Sequence, residues 1–131
     1  MTTATARVLR DDALAGMSAI VTGAGSGIGR AIALRLVELG AAVTGFGRHE
    51  ETLAETGEAA ARTAAGSYDY RVCNVRETDA ATSALVEVGE ERGLDLLVNN
   101  AGGQFFAPAV DISPGGWNAV LDLNLTSVFH L

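Results

Sequence analysis

Short apolar runs alternate along this chain with longer stretches in which apolar and charged residues recur at helical spacing, and the alternation predicts strands and helices in turn. Ser18–Thr22 reads as a first strand. The next stretch, residues 30–39, reads as a helix: Ile28, Ile32, Leu36 and Leu39 fall along one face, Arg30, Arg35 and Glu38 along the other, and Gly40 stops it. A second strand at Ala42–Gly47 leads into a helix over residues 50–64, whose Glu51, Glu55, Glu58 and Arg62 lie mostly on one side, with Gly66 closing the unit. Residues 68–74 form a third strand and residues 77–92 a third helix that faces inward through Ala81, Ala84, Leu85 and Val88, capped by Gly93. Residues 94–99 are nearly all apolar and predict a fourth strand. A last helix, with Ser113 as N-cap and Pro114 in its first turn, sets Trp117, Val120, Leu121, Asn124, Leu125 and Val128 on one stripe.

Four strand and helix alternations with short loops imply right-handed crossovers and an α/β doubly wound parallel sheet covered on both faces. Residues 13–131 are expected to form its body, the first four strands with flanking helices plus one further helix, and residues 1–12 a flexible amino-terminal arm. The last helix ends without a glycine, a basic turn or an exit loop. The expectation is therefore a truncated unit whose fourth strand lacks its next parallel neighbour.

Composition narrows the partners. Hydrophobic residues make up 48% of the chain but aromatic ones only 5%, so the core must be aliphatic. A net charge of −7 opposes nucleic acid and anionic membranes and requires any phosphate site to be local and backbone-built. The single cysteine, Cys73, cannot form an internal disulfide, and two separated histidines support no metal site. Residues 1–16 lack the apolar core of a secretory signal, and Arg35 and Glu38 interrupt the longest candidate membrane span. A soluble, cytoplasmic protein is expected.

The run from Thr22 to Gly29 (Thr-Gly-Ala-Gly-Ser-Gly-Ile-Gly) stands where the first strand meets the first helix. A dinucleotide's pyrophosphate binds at such a junction, on glycines that allow a tight turn and on the free amides of a helix N-terminus. Thr22, Gly23, Ser26, Gly27, Ile28 and Gly29 are the candidate residues, although glycine-rich turns of this kind also occur in sheets that bind nothing. At the end of the second strand an acidic residue would bond a ribose hydroxyl and repel a 2′-phosphate. This chain has Gly47 followed by Arg48. A guanidinium there favours NADP(H) over NAD(H), the alternative being an ordinary solvated charge at the start of the second helix.

Four segments together resemble the short-chain dehydrogenase/reductase family: Thr22 to Gly29, Cys73-Asn74-Val75, Asn99-Asn100-Ala101-Gly102, and Asn124 in the following helix. The resemblance implies a Rossmann-like fold and hydride transfer between a nicotinamide cofactor and an enoyl or carbonyl substrate. Asn74 and Val75 are implied beside the adenine, where the family usually has aspartate at position 74. Asn100, Ala101 and Gly102 are implied against the cofactor, where bulk would block it. Asn124 is implied as a catalytic residue that organises a water and a lysine, a satisfied structural amide being the alternative. Around Cys73, Gly103 and Trp117 the sequence is most similar to trans-2-enoyl-CoA reductases, with dienoyl-CoA reductases further away, which implies an acyl-CoA substrate. A 3-oxoacyl, sugar or alcohol reductase of the same family remains an alternative.

The family also implies a homotetramer, and a serine and a Tyr-x-x-x-Lys pair for acid–base chemistry. Neither motif occurs here, and all nine basic residues are arginines. The chain is thus expected to need a further half for turnover, or else to be an inactive nucleotide-binding or interaction module. Cys73 is expected to be an inert buried thiol, and Phe105, Phe106 and Trp117 to be core or subunit contacts before substrate walls.

Overall fold

The computed structural model describes residues 9–63 and 65–131. Its elements are β1 (Ser18–Thr22), α1 (Gly27–Glu38), β2 (Ala42–Gly47), α2 (Glu50–Ala60), β3 (Ser67–Val72), α3 (Thr78–Arg92), β4 (Leu96–Val98) and, after a 3₁₀ turn, α4 (Pro114–Leu121), a π-helical turn (Asp122–Thr126) and α5 (Ser127–His130). All strand pairs are parallel and the order is β3-β2-β1-β4. The order reverses at β1, because the chain steps outward to β2 and β3 and then returns to lay β4 along the other side. Connections leave β1 and β4 in opposite directions, and a crevice opens at their carboxyl ends.

Side-chain alternation along β1 divides the core into two layers. Ala19 and Val21 join Val43 under α1 and α2, packed with Ala33, Val37, Leu53 and Ala60. Ile20 points to the opposite face, with Phe46, Cys73 and the Ala81 and Val88 side chains of α3. The sheet is therefore covered on both faces at its centre, as the apolar runs of β1 and β4 require, whereas Asp69 and Arg71 interrupt β3 at its edge.

Several predicted details are corrected. In α1 the buried line is Gly29, Ala33 and Val37. Ile28, predicted to face the core, is 73% exposed. The helix lies so close to the sheet that only small residues fit directly beneath it, and Ile32, Leu34 and Leu36 pack along its flanks. The second helix ends at Ala60, not residue 64, and the fourth strand is shortened to Leu96–Val98. The third strand stops at Val72, although the Cys73 amide still donates to the Gly47 carbonyl at 2.7 Å.

The last helix departs most. Its predicted stripe leaves Trp117 58% and Leu125 63% exposed, and the segment docks on α3 through Leu131 and through the Thr82 hydroxyl, which donates to the His130 carbonyl at 3.5 Å. The π turn adds a residue to the spiral, so a strict 3.6-residue period no longer reports one face across it. The predicted arm, residues 1–12, falls mostly outside the described residues. From residue 11 onward the chain turns back, and the Leu14 amide bonds the Leu39 carbonyl at 2.9 Å. Among the described residues no helix is long and apolar enough to cross a membrane.

Burial pushes the Tyr68 phenol in β3 up from its ordinary 10.0 to about 12, against weaker opposing pulls from Thr56 and Arg30. The folded state then keeps this proton after the unfolded chain has lost it, so stability falls as pH rises from about 10 to about 12. Phenolate absorbance should show a late-titrating tyrosine that disappears in Tyr68→Phe.

Candidate functional site

A cleft of about 410 Å³ lies over the carboxyl ends of the strands. Each strand supplies the loop that follows it: Gly23 to Gly29 after β1, Gly47 to His49 after β2, Cys73 to Val75 after β3, and Asn100 to Gly102 after β4. Thr52 of α2 and Leu123 of the π turn complete the wall.

The β1–α1 turn forms one side, and its glycines are dictated by close approach. Gly23 has φ +70°, and a Cβ there would come within 2.8 Å of the Asn100 amide nitrogen. A Cβ on Gly29 would collide with the Gly23 carbonyl oxygen and the same Asn100 nitrogen. Helix, turn and β4 loop thus meet with no room for a methyl group. Thr56, buried in α2, donates to the Ala24 carbonyl at 3.0 Å and ties the turn to its other neighbour.

Thr22 bolts the two strands together across the crevice. Its buried hydroxyl accepts the amides of Asn100 at 3.0 Å and Ala101 at 2.9 Å, while the Asn100 side chain donates to the Thr22 carbonyl at 2.9 Å. A longer bond from the hydroxyl to the Val98 carbonyl measures 3.4 Å. Thr22 therefore shapes the cleft from below; it does not line it.

The first turn of α1 is open toward the cleft. Ser26 is extended, at φ −157° and ψ 168°, its side chain makes no cap hydrogen bond, and no acidic residue occupies the first turn. Uncapped amides and the positive end of the helix dipole are what an anion requires. The next helix differs, since α2 carries Glu50 and Glu51 in its first turn. The cradle and the open amides fit a pyrophosphate.

Arg48 and His49 are exposed where β2 runs into α2, on the cleft wall. Among the described residues Arg48 makes no hydrogen bond or ion pair, in contrast to Arg30, which reaches Glu55 at 3.4 Å. With Gly47 before it, the strand end offers a cation and no carboxylate.

On the β3 side, Asn74 is half-buried and Val75 buried. The Asn74 side chain accepts the Arg76 amide at 3.2 Å and donates to the Glu77 carboxylate at 3.2 Å. The buried Cys73 thiol is pushed up by burial and, less, by Glu77, which keeps it a protonated wall residue. Among the described residues no cluster of His, Cys, Asp and Glu could hold a metal ion.

Asn124 sits in the π turn, exposed, beside the cleft-lining Leu123. Its amide clasps Gly103 from both ends, accepting the Gly103 N–H at 3.1 Å and donating to the Gly103 carbonyl at 2.8 Å. A further bond runs to the Val120 carbonyl at 2.8 Å. The clasp holds the loop after β4 against the helix.

Apart from Thr22, every residue predicted to bind cofactor lines this one cleft: Gly23, Ser26, Gly27, Ile28, Gly29, Arg48, Asn74, Val75, Asn100, Ala101 and Gly102. The exposure of Ile28 follows from this placement at the mouth. Sequence reasoning missed Gly25, Phe46, Thr52 and Leu123. Gly25 stood inside the recognised glycine run, whereas Thr52 and Leu123 carry no signal apart from their neighbours.

A parallel sheet of this order, with an uncapped glycine turn at its switch point, defines the nucleotide-binding class of α/β domains. The sequence profile of the short chain dehydrogenase family matches residues 17–131, and the chain belongs to that family. It is 39% identical over 111 residues to a probable 2,4-dienoyl-CoA reductase of Bacillus subtilis, covering 84% of this chain and 43% of the relative. It is 41% identical over 112 residues to a 3beta-hydroxysteroid dehydrogenase of Mediterraneibacter gnavus, covering 84% and 40%. Among solved structures, a metagenomic short-chain oxidoreductase in complex with NADP superimposes with a TM-score of 0.84 at 36% identity, over 90% of this chain and 54% of that one. The chain thus spans less than half the length of these two curated relatives.

Proposed function

We propose that this chain is the dinucleotide-binding half of an NADP(H)-dependent oxidoreductase acting on an enoyl or carbonyl substrate. The observation that carries the reading is the pairing of an open α1 N-terminus with an unpaired Arg48 in one cleft. The amides of the Gly23 to Gly29 turn hold the pyrophosphate, and Arg48 holds the 2′-phosphate by charge-assisted bonds. Asn74 and Val75 receive the adenine, and Asn100, Ala101 and Gly102 leave room for the nicotinamide end. When bound, the nicotinamide supplies or accepts the hydride. Asn124 positions the β4 loop at that end through its clasp on Gly103, a positioning role.

An acyl-CoA thioester is the substrate class to test first, supported by the likeness to a probable 2,4-dienoyl-CoA reductase. The likeness to a hydroxysteroid dehydrogenase supports a carbonyl substrate as the second reading. A homo-oligomer in the cytoplasm, with the serine and Tyr-x-x-x-Lys residues supplied from outside residues 1–131, completes the proposal.

Fluorescence titration with NADPH and NADH tests it. Arg48→Ala should weaken NADPH binding roughly 10- to 100-fold, the range for losing a hydrogen bond to a charged group, and leave NADH nearly unchanged. Equal losses for both nucleotides would remove Arg48 from the 2′-phosphate and with it the preference for NADP(H).

A further inference from the structure

The Asn74 side chain is held by two neighbours of opposite character, and together they settle which way its amide points. Its oxygen faces the Arg76 N–H at 3.2 Å, and its nitrogen faces the Glu77 carboxylate at 3.2 Å. A carboxylate only accepts and a backbone N–H only donates, so the reversed amide would lose both bonds. The backbone reinforces the arrangement, because the Glu77 amide donates to the Asn74 carbonyl at 2.9 Å and closes the turn from Asn74 to Glu77. Asn74 lines the cleft, and the exposed Glu77 does not. Each end of the locked amide keeps one unused hydrogen-bonding position, one acceptor lone pair and one N–H.

We propose that Glu77 is a positioning residue for base recognition: it locks the Asn74 amide so that the cleft selects a purine presenting an amino donor beside a ring-nitrogen acceptor, as adenine does. The inference rests on the dinucleotide reading above and deepens it. An amide of fixed sense matches adenine's donor and acceptor edge. Hypoxanthine replaces the 6-amino donor with a carbonyl acceptor, which would face the acceptor end of Asn74. No aspartate is then needed at position 74, since the charge that sets the orientation is contributed three residues later.

The test compares binding of NADPH with that of its hypoxanthine analogue, in the unmodified protein and in Glu77→Gln. Glutamine keeps the backbone turn but can present either end of its own amide, so reversing Asn74 then loses only the Arg76 bond and not both. The unmodified protein should prefer the adenine form roughly tenfold, as for one mismatched hydrogen-bond pair, and the preference should fall to about twofold in Glu77→Gln. In an Asn74→Ala background Glu77→Gln should then have no further effect on the ratio. A ratio unchanged by Glu77→Gln, or one that Glu77→Gln still alters when Asn74 is alanine, overturns the proposal while leaving NADPH binding intact. Failure of the unmodified protein to bind either nucleotide would overturn the dinucleotide reading itself, and this inference with it.

Discussion

Gly29→Ala is expected to abolish dinucleotide binding and to cost about 3 kcal/mol of stability, the upper part of the usual range for overpacking a closed interior. The added methyl group would meet the Gly23 carbonyl oxygen and the Asn100 side-chain nitrogen, and the first of these is backbone that cannot rotate away. Relief requires α1 to lift from the sheet or the glycine turn to move. Either movement displaces the uncapped amides at the start of α1. Thermal melting with and without NADPH distinguishes the two consequences. The variant should melt lower than the parent protein and show no upward shift on adding nucleotide. Normal melting with a retained shift would mean that helix and strand are less tightly apposed than described.

Thr22→Val should be nearly as damaging to stability, for a polar reason. Valine reproduces the shape of threonine and removes the acceptor of the Asn100 and Ala101 amides, at 3.0 and 2.9 Å, together with the longer bond to the Val98 carbonyl. The part-buried Ala101 N–H would be left without a partner while the Asn100 N–H keeps the Val98 carbonyl at 3.1 Å, so a loss of about 2 kcal/mol in urea denaturation is expected. Thr22→Ser keeps the hydroxyl and should recover most of that loss. Because the same bonds fix the β4 loop on the cleft wall, nucleotide affinity should follow stability in the valine variant. If serine were as damaging as valine, the methyl group and not the hydrogen bonds would be the reason for threonine here.

The glycine run was legible in the chain, whereas the hydrogen bonds of Thr22 to the β4 loop were not. A run of small residues between an apolar strand and an amphipathic helix reports a close junction from local spacing alone. Threonine at the head of that run is equally compatible with facing a ligand and with facing a neighbouring strand. That neighbour is 76 to 79 residues away in sequence, and only the parallel pairing of β1 with β4 brings it into reach.

The same division holds elsewhere. Element order, the doubly wound parallel sheet and the inward face of α3 were all contained in the alternation of apolar and polar positions, because strands of period two and helices of period 3.6 leave local signatures. The residues of the cleft were largely legible for the same reason, since each follows directly on a strand. Tertiary packing alone determined which face of α1 touches the sheet, that the last helical stripe is left exposed at Trp117 and Leu125, and that Asn124 clasps Gly103. These depend on how closely two backbones approach and on which partner remains within hydrogen-bond reach, quantities that a linear pattern of hydrophobicity does not encode.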